Sequence, residues 1–151
     1  MVFNGINNQT VEFRVTNYEF PNNTTCEYDS NWLLIYLKVK SSFGNWKTID
    51  PSLLTTEVKI IIEWFENLSK NNVIENGLTF LEPNLEFQLM KNQSNCKHIR
   101  MLFDLESKPK NHEKDKEYYV DFEFSINQLN KVVEDLKNEL KPYPIRALYS
   151  L

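Results

Sequence analysis

Two early segments of the chain have the hydrophobic pattern of β-strands. In TVEFRVTNY, Thr10–Tyr18, the apolar residues Val11, Phe13 and Val15 alternate with polar ones, which predicts a strand with one buried face. The segment WLLIYLKVK, Trp32–Lys40, is apolar at most positions, which indicates a central strand covered on both faces. A buried helix can have the same pattern, but the β-branched and aromatic side chains favour a strand.

The middle of the chain predicts a short strand followed by a helix. The strand is GNWKTID, Gly44–Asp50, and the helix is DPSLLTTEVKIIIEWFENLSK, Asp50–Lys70. Thr55 or Thr56 is expected to cap the start of this helix. Apolar residues recur at helical spacing along it: Val58, Ile61, Ile62, Phe65 and Leu68.

The second half of the chain predicts several strands and a final helix. The strand segments, each with a period of two residues, are Leu78–Leu81, Leu85–Met90, His98–Glu106 and Tyr118–Phe124. Pro83 is expected in the corner between the first two, where its missing N–H interrupts no ladder. Ser125 and Gln128 have the spacing of a capping box, which predicts a helix over Ile126–Leu140. Its apolar stripe is Leu129, Val132, Val133, Leu136 and Leu140.

This order of elements predicts an α+β fold in a single domain over residues 1–151. Consecutive strands joined by short links favour antiparallel pairing. We therefore expect a mainly antiparallel, curved β-sheet packed with two helices.

Composition narrows the class of protein. A hydrophobic content of 41% in 151 residues is sufficient for a buried core. The net charge of -4 argues against nucleic acid as a partner. The N-terminal residues lack a secretory signal, and no apolar run has the length of a membrane span. We expect a soluble cytoplasmic protein whose two cysteines, Cys26 and Cys96, are reduced.

The residue types that carry catalysis or bind metal are sparse. The two histidines, His98 and His112, have no second ligand at metal-binding spacing, and no glycine-rich loop suits a phosphate. Cys96 with His98 is a weak nucleophile–base candidate, and pairs of carboxylates are another. We expect no metal, no cofactor and no catalytic residue.

One side of the predicted second-half strands is strongly acidic. Its charged positions include a single base, Arg100, and these acids: Glu86, Asp104, Glu106, Asp121 and Glu123. Like charges on neighbouring strands are unfavourable, so this pattern is a hint of a cationic protein partner, although simple solvation of an exposed sheet face explains it more readily. If this side is not the binding face, the loops Asn22–Asn31 and Ser107–Lys116 are the next candidates.

Five short motifs occur in an order that resembles the WapI-type immunity proteins of Gram-positive bacteria. They are YEFP (Tyr18–Pro21), DSNWL (Asp29–Leu33), LTTE (Leu54–Glu57), FLEPNLEF (Phe80–Phe87) and YPIR (Tyr143–Arg146). Tyr143 stands where the family more often has Phe. No motif is specific alone, but the ordered set spans nearly the whole chain.

The resemblance implies a non-enzymatic inhibitor. Such a protein binds a cognate toxin domain, in some systems one that cleaves RNA, and protects the producing cell. An acidic inhibitor face would complement the basic site with which a nuclease holds phosphate. We interpret Glu82, Asp29 and Asn31 as residues that tie loop backbone, and Glu86 as the better candidate for partner contact.

Two other functions remain open from the sequence. The first is a small-ligand-binding α+β module, in which the aromatic residues Trp32, Tyr36, Trp46 and Trp64 line a pocket instead of a core. The second is a hydrolase that uses Cys96 or the carboxylates.

Overall fold

The first of two antiparallel sheets is formed by the N-terminal third of the chain. The computed structural model describes residues 1–146. The strands of this sheet, in their spatial order, are β1 (Val2–Asn4), β2 (Thr10–Tyr18), β3 (Trp32–Ser41) and β4 (Gly44–Leu54). β2 has the predicted bounds, whereas the sequence pattern does not predict β1, whose three residues are too few to show a period.

The second sheet is formed by the later strands and is not hydrogen-bonded to the first. Its strands, in spatial order, are β5 (Gly77–Leu78), β6 (Leu85–Gln93), β7 (Cys96–Phe103) and β8 (Tyr118–Ser125). All pairs in both sheets are antiparallel, and the predicted α+β class is confirmed. Pro83 lies in the turn before β6, as predicted.

Two strands of the second sheet end earlier than predicted. β5 stops at Leu78, so the predicted strand to Leu81 is wrong. β7 stops at Phe103, so the predicted strand to Glu106 is wrong as well. There the Asp104 Oδ1 accepts the N–H of Leu105 at 2.8 Å and begins a short 3₁₀ turn, which removes the strand geometry.

The two helices differ in how well the sequence predicts them. α2 spans Ile126–Leu140, as predicted, and the predicted capping box is confirmed: Ser125 Oγ accepts the Gln128 N–H, and Gln128 Oε1 accepts the Ser125 N–H. α1 spans Thr55–Ser69, so its predicted start at Asp50 is wrong. Leu54 is the N-cap residue, and neither threonine caps the helix.

β3 and β4 correct two further predictions. The predicted coverage of β3 on both faces is wrong: Leu33, Ile35, Leu37 and Val39 are buried, and the residues between them are half-buried or exposed. The segment from Asp50 to Leu54 extends β4, because Leu53 and Leu54 pair with β3 instead of entering the helix.

Phe65 of α1 lies at the centre of the core that joins both sheets and both helices. Its ring is 6.1 Å from that of Phe3 on β1, 5.7 Å from Phe87 on β6 and 6.3 Å from Phe124 on β8. Phe3 in turn contacts Phe122 at 5.8 Å. These aromatic contacts hold the edges of the two sheets together without backbone pairing between them.

Candidate partner-binding surface

Three of the sequence motifs meet at Arg146, the last residue of YPIR. Its guanidinium stacks on the Tyr18 ring at 3.5 Å and donates to the Ser30 carbonyl and to further carbonyls of the loop before β3. The Arg146 N–H donates to Asn31 Oδ1 at 2.8 Å, and Asn31 Nδ2 donates back to the Arg146 carbonyl at 2.6 Å. YEFP, DSNWL and YPIR therefore form one network that closes the loop.

The other two motifs join this network through Thr55 and Glu57. Thr55 Oγ1 donates to Asn31 Oδ1 at 2.9 Å. The Glu57 carboxylate accepts the N–H of Leu54 at 3.0 Å and the N–H of Leu81 at 2.9 Å, which ties the start of α1 to the FLEPNLEF loop. The motif residues that form these hydrogen bonds are thus structural: they fix the loops at this side of the molecule.

The predicted loop-tying role is right for Asn31 and wrong for Asp29 and Glu82, since neither carboxylate accepts a hydrogen bond from a residue that the structure describes. Asn31 ties loop backbone as predicted. Glu82 is exposed and accepts no hydrogen bond from the residues that the structure describes, and Glu57 holds that loop instead. Asn23 also has a loop-tying role, since its Oδ1 accepts the Cys26 N–H at 3.2 Å.

Asn84 of FLEPNLEF holds two carboxylates from distant parts of the chain. Its side chain is buried, and its Nδ2 donates to Asp50 Oδ2 at 3.1 Å and to Glu106 Oε2 at 3.2 Å. Asp50 lies on β4, and Glu106 lies in the 3₁₀ turn after β7. A buried amide therefore brings an acid of β4 and an acid of the turn after β7 together as a pair.

Further carboxylates surround this pair and form what we call the acidic loop surface: Glu19, Asp29, Asp50, Glu82 and Glu106. Burial raises the pKa of Asp50 above its ordinary value of 3.8; Glu106 and Glu82 raise it further, against the Asn84 hydrogen bond. Burial, Asp50 and Asp29 likewise raise the pKa of Glu19 above 4.5. These shifts have the sign of mutual repulsion among ionised carboxylates.

The five acids of the acidic loop surface form no ion pair within residues 1–146. Each ion pair in that part of the chain joins other residues. Exposed apolar side chains border it: Tyr28 and Leu81 line one depression, and Ile49 lines a groove together with Glu106. Uncompensated charge beside exposed apolar surface is a combination typical of interfaces.

The acids of the predicted strand face lie in different settings. Glu106 belongs to the acidic loop surface. Asp104 caps the 3₁₀ turn and pairs with Lys108 at 3.0 Å, so its predicted outward position on a strand is wrong. Glu86 accepts a hydrogen bond from Gln88 on the outer side of β6, and Glu123 is exposed on β8.

Asp121 is the clearest correction to the predicted outward face. It is buried, and its carboxylate accepts from Arg100 Nε at 2.8 Å and from Nη2 at 3.0 Å. Burial raises the pKa of Asp121, but the Arg100 hydrogen bonds and charge, with His98, outweigh burial and hold the pKa below 3.8. The guanidinium also stacks on the Tyr119 ring at 3.8 Å. Asp121 is therefore already neutralised within the sheet.

Sequence analysis missed Asp50, Glu19 and Asn84 as members of a site. The sequence pattern places Asp50 between a predicted strand and a predicted helix start, where a carboxylate is unremarkable. The available signal was Asn84, a polar residue inside the apolar FLEPNLEF motif, next to a turn where polar residues are expected. Only the folded chain brings these residues to Glu106.

The chemistry of the alternative functions has little support in the described residues. No group of three or more His, Cys, Asp and Glu side chains in residues 1–146 has an arrangement that could hold a metal ion. Trp64 is buried and its Nε1 donates to the Glu75 carbonyl at 2.9 Å. Trp46 packs on Phe103 at 5.6 Å. These two tryptophans serve packing, on different elements of the fold.

Comparison with known proteins agrees with the motif order. Within residues 1–146, neither helix is long and apolar enough to cross a membrane. A search of curated proteins found no match to the chain. The sequence model of the immunity protein WapI-like family matches residues 2–144. The chain therefore belongs to the immunity protein WapI-like family.

Proposed function

We propose that this chain neutralises a cognate toxin domain by binding it through the acidic loop surface. Family membership supports an immunity function and a toxin protein as the partner. The observation that carries the choice of surface is the Asn84-bridged pair of Asp50 and Glu106, which forms no ion pair with the described part of the chain. The protein acts as an inhibitor, without catalysis, metal or cofactor.

The electrostatics of the pair give the proposal a physical basis. Two carboxylates drawn to one amide repel each other, and burial raises the pKa of Asp50 further. An arginine of the partner placed between them would form charge-assisted bidentate hydrogen bonds and relieve that repulsion. Binding therefore relieves a carboxylate repulsion that remains in the free, folded chain.

The same charge supports an RNA-cleaving toxin as the partner. An RNA-cleaving domain must present cations to the phosphate backbone, and an acidic surface is attracted to them and occupies their site. We propose such a nuclease as the target, in the cytoplasm of a Gram-positive cell that competes by contact-dependent toxin delivery. The inhibitor would protect the producing cell from its own or its kin's toxin.

The outer face of the second sheet is the smaller, second candidate surface. Glu86 and Glu123 remain available there, whereas Asp121 is paired with Arg100 and Asp104 with Lys108. Among the sequence-predicted acids, we propose that Glu106 has the central role in toxin binding and that Glu86 and Glu123 have a peripheral one.

A protection assay with two matched double variants tests the proposal. Cells express the toxin domain encoded beside this chain's gene, together with Asp50→Asn/Glu106→Gln or with Glu86→Gln/Glu123→Gln. Each pair removes two negative charges and keeps oxygen acceptors, so the Asn84 hydrogen bonds can persist. We expect the first pair to lose protection with an unchanged or raised melting temperature, and the second to retain it. Full protection by the first pair would refute the acidic loop surface.

A further inference from the structure

The outer edge of β4 is unpaired in the first sheet. β4 is the last strand of that sheet, and no described residue forms a backbone hydrogen bond with Asn45–Ile49 from outside it. An edge strand directs every second N–H and C=O away from the sheet, so it can accept an additional strand. Lys47 and Pro51 are residues that commonly restrain such pairing on edge strands.

A groove of about 550 Å³ runs along this edge. One wall is the consecutive residues Asn45–Ile49, and the other contains Glu106 and Lys108–Asn111. Successive side chains of a strand point to opposite faces, so a groove lined by every residue from 45 to 49 must follow the edge itself. Trp46 Nε1 donates to the Ser107 carbonyl at 2.9 Å and fixes the second wall to β4.

The groove is lined by charges of both signs. Lys47 on β4 and Lys110 on the second wall form no ion pair within residues 1–146. Glu106 also lines the groove, and Asn84 joins it to Asp50 on the strand. Lys47 and Asp50 are separated by about 10 Å along the strand, at roughly 3.3 Å per residue.

Between these charges the groove presents one apolar and one polar side chain. Ile49 is 61% exposed. Thr48 lines the groove, and its Oγ1 has no hydrogen-bond partner among the described residues. A hydroxyl of this kind is both a donor and an acceptor for a segment bound in the groove.

We infer that the edge of β4 accepts an extended segment of the toxin domain as an additional antiparallel or parallel strand. This inference rests on the proposed function and adds its binding mode. The segment carries an acidic side chain opposite Lys47, an apolar one on Ile49, and a basic one at Asp50 and Glu106. Main-chain hydrogen bonds supply affinity, and these side chains set the register and exclude other segments.

Hydrogen exchange of backbone amides tests strand addition directly. The chain is measured alone and with the catalytically inactivated toxin domain encoded beside its gene. We expect amides within Asn45–Ile49 to exchange at least about tenfold more slowly in the complex, because edge amides gain partners. The hairpin Asn92–Asn95 serves as the internal control and should be unchanged.

The outcomes separate the inference from the proposed function. Binding with unchanged exchange in Asn45–Ile49 overturns strand addition and leaves the inhibitor function intact. Absence of binding overturns both. A dimer of the free chain with these amides already protected shows that a second copy occupies the edge, which also overturns the inference.

Proline substitution provides a second test. Of two adjacent residues on an edge strand, one N–H points to β3 and the other points outward, so Thr48→Pro and Ile49→Pro remove one of each. The proline variant that keeps its melting temperature is the one that has lost the outward N–H. This variant should bind the toxin domain at least about tenfold more weakly than the variant with alanine at the same position. If the proline variant and the alanine variant at that position bind the toxin domain with equal affinity, the inference is overturned. If both proline substitutions unfold the chain, the hydrogen-exchange experiment decides the question.

Discussion

Asn31 and Arg146 exchange two hydrogen bonds across most of the chain: Asn31 Oδ1 accepts the Arg146 N–H at 2.8 Å, and Asn31 Nδ2 donates to the Arg146 carbonyl at 2.6 Å. Asn31 is 3% exposed, so neither bond competes freely with water. The pair closes the loop that carries Glu19 and Asp29. The sequence motifs therefore build the support for the acidic loop surface and also supply three of its acids, Glu19, Asp29 and Glu82.

We predict that Asn31→Ala destabilises the fold by about 1–3 kcal/mol, since it leaves buried main-chain groups without partners. Urea denaturation of the variant and of the exposed control Asn22→Ala measures the difference. Toxin binding at a temperature well below the transition should change little for either. An Asn31→Ala variant as stable as the control would show that the network does not stabilise the loop.

We predict that Leu136→Ala costs about 2–5 kcal/mol, because Leu136 is 1% exposed in the core under α2 and truncation leaves a cavity. Asn138→Ala, on the exposed side of the same helix, is the matched control and should cost far less. Thermal and urea denaturation measure both. Equal melting curves for the two variants would mean that α2 is not docked through this face.

The accuracy of the sequence predictions for α2 and α1 has a physical explanation. Ser125, Gln128 and the apolar stripe are local signals, so the predicted bounds of α2 are right. The start of α1 depends on the pairing of Leu53 and Leu54 with β3 and on Glu57, which also bonds Leu81. Contacts between residues that are far apart in the sequence leave no local pattern. The apolar residues of the segment have helical spacing, so the local pattern predicts a helix.

The errors in the predicted acidic face have a similar physical cause. The alternation along a strand predicts on which face of the sheet each acid lies, but it does not predict the residue with which that acid pairs. Arg100 pairs with Asp121 across neighbouring strands. The early end of β7 then moves Glu106 to a turn beside Asp50 of the other sheet. The sequence therefore predicts an acidic face and a cationic partner. The folded chain indicates which of the acids remain available for contact with that partner.

We predict opposite pH dependences for two aspartate substitutions. The pKa of Asp50 is raised above 3.8 in the fold, so its ionisation costs stability as pH rises through the window above 3.8. The pKa of Asp121 is lowered, so its stabilisation is present above 3.8 and is lost as pH falls below that value. Asp50→Asn should therefore be more stable than the unsubstituted chain near neutral pH, and Asp121→Asn less stable.

Urea denaturation across the acid range checks both differences, which should each shrink as the pH falls below 3.8. A neutral-pH loss of stability in Asp50→Asn would show that its carboxylate is compensated after all. An unaffected Asp121→Asn would show that the Arg100 pair adds nothing to stability.

Calorimetric titration of the chain with the inactivated toxin domain tests the central claim most directly. At about 50 mM salt we predict one-to-one binding, weakened at about 300 mM because exposed charges are screened. Asp50→Asn/Glu106→Gln should bind at least about tenfold more weakly at low salt, a loss of about 1.4 kcal/mol, with a smaller difference at high salt. Undetectable binding by the unsubstituted chain, or equal affinity of the double variant at both salt concentrations, would contradict the account.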